Sequence, residues 1–179
     1  MSEIKQLSTS IVYQNKWMTV REDAIERPSG GTGIYSIVDK PDFAIIIPIM
    51  DDYLILVDQF RYPLQQRSLE FPQGAYEANP DISPSELAAM ELKEETGLVA
   101  THMEHIGKQA LAVGFCNQFY NIFVATGLEA LEAEPEPEEE GLIVSRVRID
   151  DFQEMIVTGE ILDATTTNAF CMAKLKGYI

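Results

Sequence analysis

At 179 residues, with 46% hydrophobic and 23% charged side chains, the chain has the make-up of one folded domain with a substantial core, not of a disordered or fibrous polymer. Its formal charge of −16 argues against nucleic acid as a partner, because phosphate backbones are bound mainly by Lys and Arg. No apolar run reaches the ~20 residues of a membrane span, the opening MSEIKQLSTS lacks the basic-then-apolar order of a signal peptide, and the two cysteines, Cys116 and Cys171, fit a reducing cytoplasm better than a disulfide scaffold.

The first half reads as strands. SIVYQNKWMTVREDAIE (10–26) and GIYSIVDK (33–40) flank the turn-rich RPSGGT, which predicts an N-terminal antiparallel strand pair. FAIIIPIM (43–50) and YLILVDQF (53–60), joined through Asp51-Asp52, read as a hairpin of well-buried strands. SLEFPQG is a short strand ending at Pro72 and Gly74.

After the loop AYEANPDI comes a helix whose ends are both marked. Ser83 is a good N-cap, Pro84 suits the first helical position, Glu86 completes a capping box, and Gly97 sits where a left-handed C-terminal cap is common. Strands resume at MEHIGKQALA (103–112) and QFYNIFVATGLE (118–129). The segment EALEAEPEPEEEG (129–141), with seven Glu and two Pro, is too polar and too broken to be core. LIVSRVRI (142–149) reads as a strand and DDFQEMIVTGE (150–160) as a short helix closed by Gly159. DATTTNAFCMAKLKGY (163–178) reads as a final helix.

The helix at 84–96 poses a problem of charge. Glu91, Glu94 and Glu95 fall within one turn near its C-terminus, where the macrodipole is already negative, so each adds an unfavourable few tenths to ~1 kcal/mol. A hard divalent cation would turn that repulsion into binding energy; a solvated acidic face is the plain alternative.

The stretch from Gly74 to Leu98 resembles the Nudix box, G-x5-E-x7-R-E-U-x-E-E-x-G-U with U aliphatic. MELKEETGL matches its second half at Glu91, Leu92, Glu94, Glu95, Gly97 and Leu98. VDQFRYP, LEFPQG, the acidic loop and GEILDATTTNAF extend the likeness to the branch of that family that cleaves ADP-ribose and other nucleoside diphosphate sugars. The resemblance implies an α+β Nudix fold, a mixed sheet sandwiched between helices, as a single domain over 1–179. Strands within 1–40 would serve dimerisation, and 41–179 would form the catalytic core.

It also implies roles. Glu91, Glu94 and Glu95, with the backbone carbonyl of Gln73, would hold Mg²⁺ or Mn²⁺, which screens a diphosphate and acidifies bound water. Glu94 and Glu95 would also belong to the catalytic set. Arg61 and Gly74 would contact substrate, the guanidinium offering paired donors to phosphate oxygens. Glu140, or else Glu139, would act as general base or as an ion ligand over the site. The implied activity is metal-dependent hydrolysis of ADP-ribose to AMP and ribose 5-phosphate by a homodimer. The alternatives are a nucleotide sensor without turnover and a protein-interaction domain.

The chain departs from the pattern twice. The loop after Gly74 is two residues longer, leaving Glu77 or Asp81 to stand in for the first box glutamate. Met90 replaces the box arginine, and a thioether offers no donor to a carboxylate. His102 and His105, three apart on a strand, fall on opposite faces and read as structural, and both cysteines read as buried.

Overall fold

The computed structural model describes residues 3–76, 81–131 and 141–179. The N-terminal segment differs from the expected strand pair. Strands β1 (Lys5–Gln14), β2 (Thr19–Glu26) and β3 (Thr32–Asp39) form a three-stranded antiparallel sheet in that order. What breaks the long first segment is Asn15, whose Oδ1 accepts hydrogen bonds from the backbone N–H groups of Trp17 and Met18, both at 2.9 Å. Such a side-chain turn needs no glycine, so composition does not advertise it. Val38 joins this sheet to the rest, donating to the Phe115 carbonyl at 2.8 Å and accepting from Asn117 at 3.3 Å.

The main sheet runs β10-β5-β4-β9-β8, with β6 on β5 and β7 on β4. Its members are β4 (Phe43–Met50), β5 (Tyr53–Arg61), β6 (Gln66–Glu70), β7 (Gln73–Gly74), β8 (Leu98–Ala110), β9 (Phe119–Ala130) and β10 (Ile143–Arg148). β4 and β9 are parallel and the other pairs antiparallel, so the sheet is mixed. Helix α1 (Pro84–Thr96) covers one face; α2 (Ile149–Thr158) and α3 (Ala164–Leu175) cover the other. β4 therefore reads as an unbroken apolar run, with Ile45 and Ile47 packed towards Phe152 and Phe170 and Ala44 and Ile46 towards Leu87 and Leu92. The expected mixed sheet between helices is the observed architecture.

One feature of β4 sets up the site. It pairs with β5 only at Ile49 and Met50, and with β7 at Ala44 and Ile45. Between them lies Pro48, which has no N–H for a ladder. β5 and β4 therefore splay apart, and Gln73 and Gly74 are laid into the opening beneath α1. The cysteines differ from expectation: Cys116 is half-buried, Cys171 is exposed, and both are free. Among the described residues no helix is long and apolar enough to cross a membrane.

Candidate active site

Helix α1 forms as its ends dictate. Ser83 Oγ accepts from the Glu86 N–H at 3.2 Å, the Glu86 carboxylate accepts from the Ser83 N–H at 3.3 Å, and Gly97 closes the helix with φ +67°. The Ser83 hydroxyl and backbone bonds hold the Glu86 carboxyl below its ordinary pKa. The buried positions of α1 are Leu87, Ala88, Glu91, Leu92 and Glu95. Ala88 and Leu92 form the greasy stripe against the sheet. The neighbouring stripe, Leu87-Glu91-Glu95, turns from apolar to acidic as it passes over β7.

The two glutamates are almost wholly covered, Glu91 at 6% and Glu95 at 3% exposure. Glu95 Oε2 accepts the backbone N–H of Gln73 at 3.0 Å. Glu91 lies so close to Gly74 that a Cβ built there would stand 2.6 Å from the carboxyl carbon. Here glycine is required for space. Glu94, between them in sequence, is half-buried.

Below the helix is a second polar layer that sequence reasoning missed. Glu70, at 2% exposure, receives Arg61 Nε at 2.8 Å and a second bond from Arg61 Nη2, a bidentate pair. The Gln73 amide then links two carboxylates, its Nε2 donating to Glu70 at 2.9 Å and to Asp163 at 3.2 Å. Thr165 Oγ1 donates to Gln73 Oε1 at 3.1 Å. Asp163 is the N-cap of α3, accepting from the Thr166 N–H at 2.8 Å, while Thr166 Oγ1 accepts the Phe71 N–H at 3.0 Å. One hydrogen-bonded chain thus ties β5, β6, β7 and α3 together.

The electrostatics follow from this layout. The Glu70 hydrogen bond, opposed by burial and helped by the fields of Glu95 and Asp163, raises the Arg61 pKa further above its already high ordinary value. Burial works against ionisation of Asp163, but the bonds from Thr165, Thr166 and Gln73 outweigh it and hold the carboxyl below its usual range.

Arg61, Ser68, Glu70, Gln73, Gly74 and Asp163 line a cavity of about 460 Å³ that extends towards Lys40, Phe43, Leu111 and Gln118. Five of the expected residues, Arg61, Gln73, Gly74, Glu91 and Glu95, therefore share one neighbourhood, with Glu94 one position away on the same helix. Glu139 and Glu140, and Glu77 among the stand-ins for the first box glutamate, lie outside the described residues; Asp81 is exposed. Met90 is partly buried against the apolar cluster of Leu87, Leu92 and Phe123.

Among the described residues, no group of three or more His, Cys, Asp or Glu side chains is placed to hold a metal ion. Mg²⁺ is commonly held by one or two carboxylates together with waters and substrate phosphates. Two buried carboxylates beside a backbone turn kept free of any Cβ fit that donor set. The arrangement can receive a divalent cation on the α1 side and an anionic group at Arg61.

Comparison with known proteins agrees with this geometry. Residues 4–38 match the family model described as the nucleoside diphosphate sugar hydrolase N-terminal domain. The chain is 28% identical over 176 residues to an ADP-ribose pyrophosphatase of Bacillus subtilis, covering 97% of this chain and 94% of the relative. It is 32% identical over 136 residues to the ADP compounds hydrolase NudE of Escherichia coli, covering 73% and 72%. A crystal structure of an ADP compounds hydrolase superposes with TM-score 0.87 at 25% identity, over 100% of this chain and 98% of that one.

Proposed function

This chain belongs to the Nudix hydrolases, in the branch of ADP-ribose and ADP-sugar pyrophosphatases, and from that membership we propose that it hydrolyses ADP-ribose to AMP and ribose 5-phosphate with the help of Mg²⁺ or Mn²⁺. The observation that carries the site assignment is the placement of two buried carboxylates, Glu91 and Glu95, against the Cβ-free turn at Gln73-Gly74.

In this reading Glu91, Glu94 and Glu95, with the Gln73 carbonyl, hold the cation. When bound, it screens the diphosphate and supplies Lewis acidity at the phosphorus under attack. Arg61 binds the diphosphate, and in the free protein the Glu70 carboxylate holds its guanidinium at the cavity wall. Gly74 lets the substrate and Glu91 approach the same backbone. Glu140, or else Glu139, is the general base that takes the proton from the attacking water.

The same reading makes the protein a homodimer. β1 is exposed along its whole length, and Leu7, Ile11, Val12 and Tyr13 on it are uncovered together with Ile34 on β3. Ten residues of bare strand carrying those side chains are a liability unless a partner covers them. A cytoplasmic location belongs to the same reading, and the two free cysteines support it.

Incubation with ADP-ribose, ADP-glucose and NAD in Mg²⁺, followed by chromatography of the products, tests the substrate. The expected outcome is AMP from ADP-ribose at the highest kcat/KM. A sensor without turnover, suggested by Met90, would bind these compounds and release no AMP.

A further inference from the structure

Among the described residues that line the cavity, one buried polar side chain has no hydrogen-bond partner. Ser68, on β6, is 3% exposed and lines the cavity, and its hydroxyl makes no hydrogen bond. A buried hydroxyl without a partner carries its full desolvation cost, so native structures rarely keep one without a reason. Glu70 on the same strand and Gln73 on β7 do not share the problem, since both are bonded several times over.

The strand register shows which residues share its face. β5 and β6 are antiparallel, with Arg61 opposite Gln66, Gln59 opposite Ser68 and Val57 opposite Glu70. Directly opposed residues share a face, so Arg61, Gln59, Ser68 and Glu70 all stand on one side. Arg61 nonetheless bonds to Glu70, four positions along β6 from its own opposite residue. Its side chain therefore runs along the strands and crosses the level of Ser68. Arg61 and Ser68 thus stand on the same face of the cavity wall, with Glu70 beyond them.

We propose that Ser68 is a substrate-contacting residue whose hydroxyl donates a hydrogen bond to a diphosphate oxygen once Arg61 has moved to the same group. This rests on the reading that the cavity takes a nucleoside diphosphate sugar. Arg61 spends Nε and Nη2 on Glu70 and is about one-third exposed, so it has donors to offer an incoming anion and room to turn towards it. A diphosphate presents only acceptors, which suits a serine hydroxyl with one donor to give. Ser68 is then covered in the free protein and bonded in the complex.

Three proteins decide the matter: wild type, Ser68→Ala and Ser68→Thr. Each is assayed for ADP-ribose hydrolysis in Mg²⁺, for binding of α,β-methylene-ADP-ribose by calorimetry, and for melting temperature without ligand. The expected result for Ser68→Ala is a KM and a Kd about tenfold higher, as for one hydrogen bond to a charged group, with a smaller change in kcat. Its melting temperature should equal or exceed that of wild type, because a group without a partner has been removed. Ser68→Thr, which keeps the hydroxyl, should recover most of the affinity. KM and Kd within twofold of wild type in Ser68→Ala would overturn the assignment, as would a fall in melting temperature with affinity intact. Failure of the underlying reading would show differently, as wild type that neither cleaves ADP-ribose nor binds the analogue.

Discussion

Gly74→Ala is the sharpest single perturbation of this site. The Gly74 backbone is not left-handed, so alanine is barred by space and not by conformation. The new Cβ would stand 2.6 Å from the Glu91 carboxyl carbon, whereas carbons pack at about 3.5 Å. One of the two must therefore move by about 1 Å. Glu91 is 94% buried inside a packed helix-sheet layer, and overpacking of that kind costs about 1–3 kcal/mol. For a domain of this size that corresponds to between about 2 and 12 °C in melting temperature. A ligating carboxylate displaced by ~1 Å should lower kcat/KM about 100-fold. Thermal melts and steady-state kinetics in Mg²⁺ measure both effects. A double-mutant cycle isolates the cause: in a Glu91→Ala background, Gly74→Ala should cost almost no stability, because its steric partner is gone. An equal loss in both backgrounds, or full activity in Gly74→Ala, would refute the reasoning.

Three further outcomes follow from the same geometry. Met90→Arg should cost about 1 kcal/mol in stability, because its stem can lie along the Leu87 surface while its head reaches water, and kcat/KM should be unchanged or raised; a large fall would show that the carboxylates are oriented some other way. For Asp163 the folded-state pKa is depressed, so its ionised form stabilises the fold above the unfolded value of about 3.9 and that contribution disappears as pH falls through the folded value. Melts of wild type and Asp163→Asn in chelator should therefore differ most near about pH 7 and draw together as pH falls below the unfolded value, since asparagine still caps α3; a gap that stays constant as pH falls would exclude the charge as the cause. Ile11→Glu on bare β1 should shift sedimentation from twice the 20.1 kDa chain mass to the monomer; an unshifted dimer would place the interface elsewhere.

What the sequence revealed and what it hid divide along local and long-range lines. The ends of α1 were readable because Ser83, Pro84, Glu86 and Gly97 act on backbone groups within four residues of themselves. The positive φ at Asp51 marks the tight turn expected between β4 and β5. The three-stranded N-terminal sheet was not legible, because Asn15 looks like any polar residue until its side chain is seen closing a turn. Glu70 was hidden for a different reason. It alternates with Leu69 and Phe71 as a solvent-facing residue would, and only the splaying of β5 from β4 puts that face inside. The amphipathic pattern of α1 misleads similarly, since two of its five buried positions are glutamates. Asp163 did carry a local signal, an acidic residue directly before Ala-Thr-Thr at a helix start. Its bond to Gln73, 90 residues away, carried none.

The most direct measurement is AMP release from ADP-ribose by metal-stripped protein as Mg²⁺ is titrated in, with Glu95→Gln run alongside. The account predicts no AMP without metal. With Mg²⁺ it predicts equimolar AMP and ribose 5-phosphate from wild type, and a rate at least about 100-fold lower from a Glu95→Gln protein that melts within a few degrees of wild type, because glutamine can still accept the Gln73 N–H. Hydrolysis that persists in chelator, or that survives undiminished in Glu95→Gln, would contradict it.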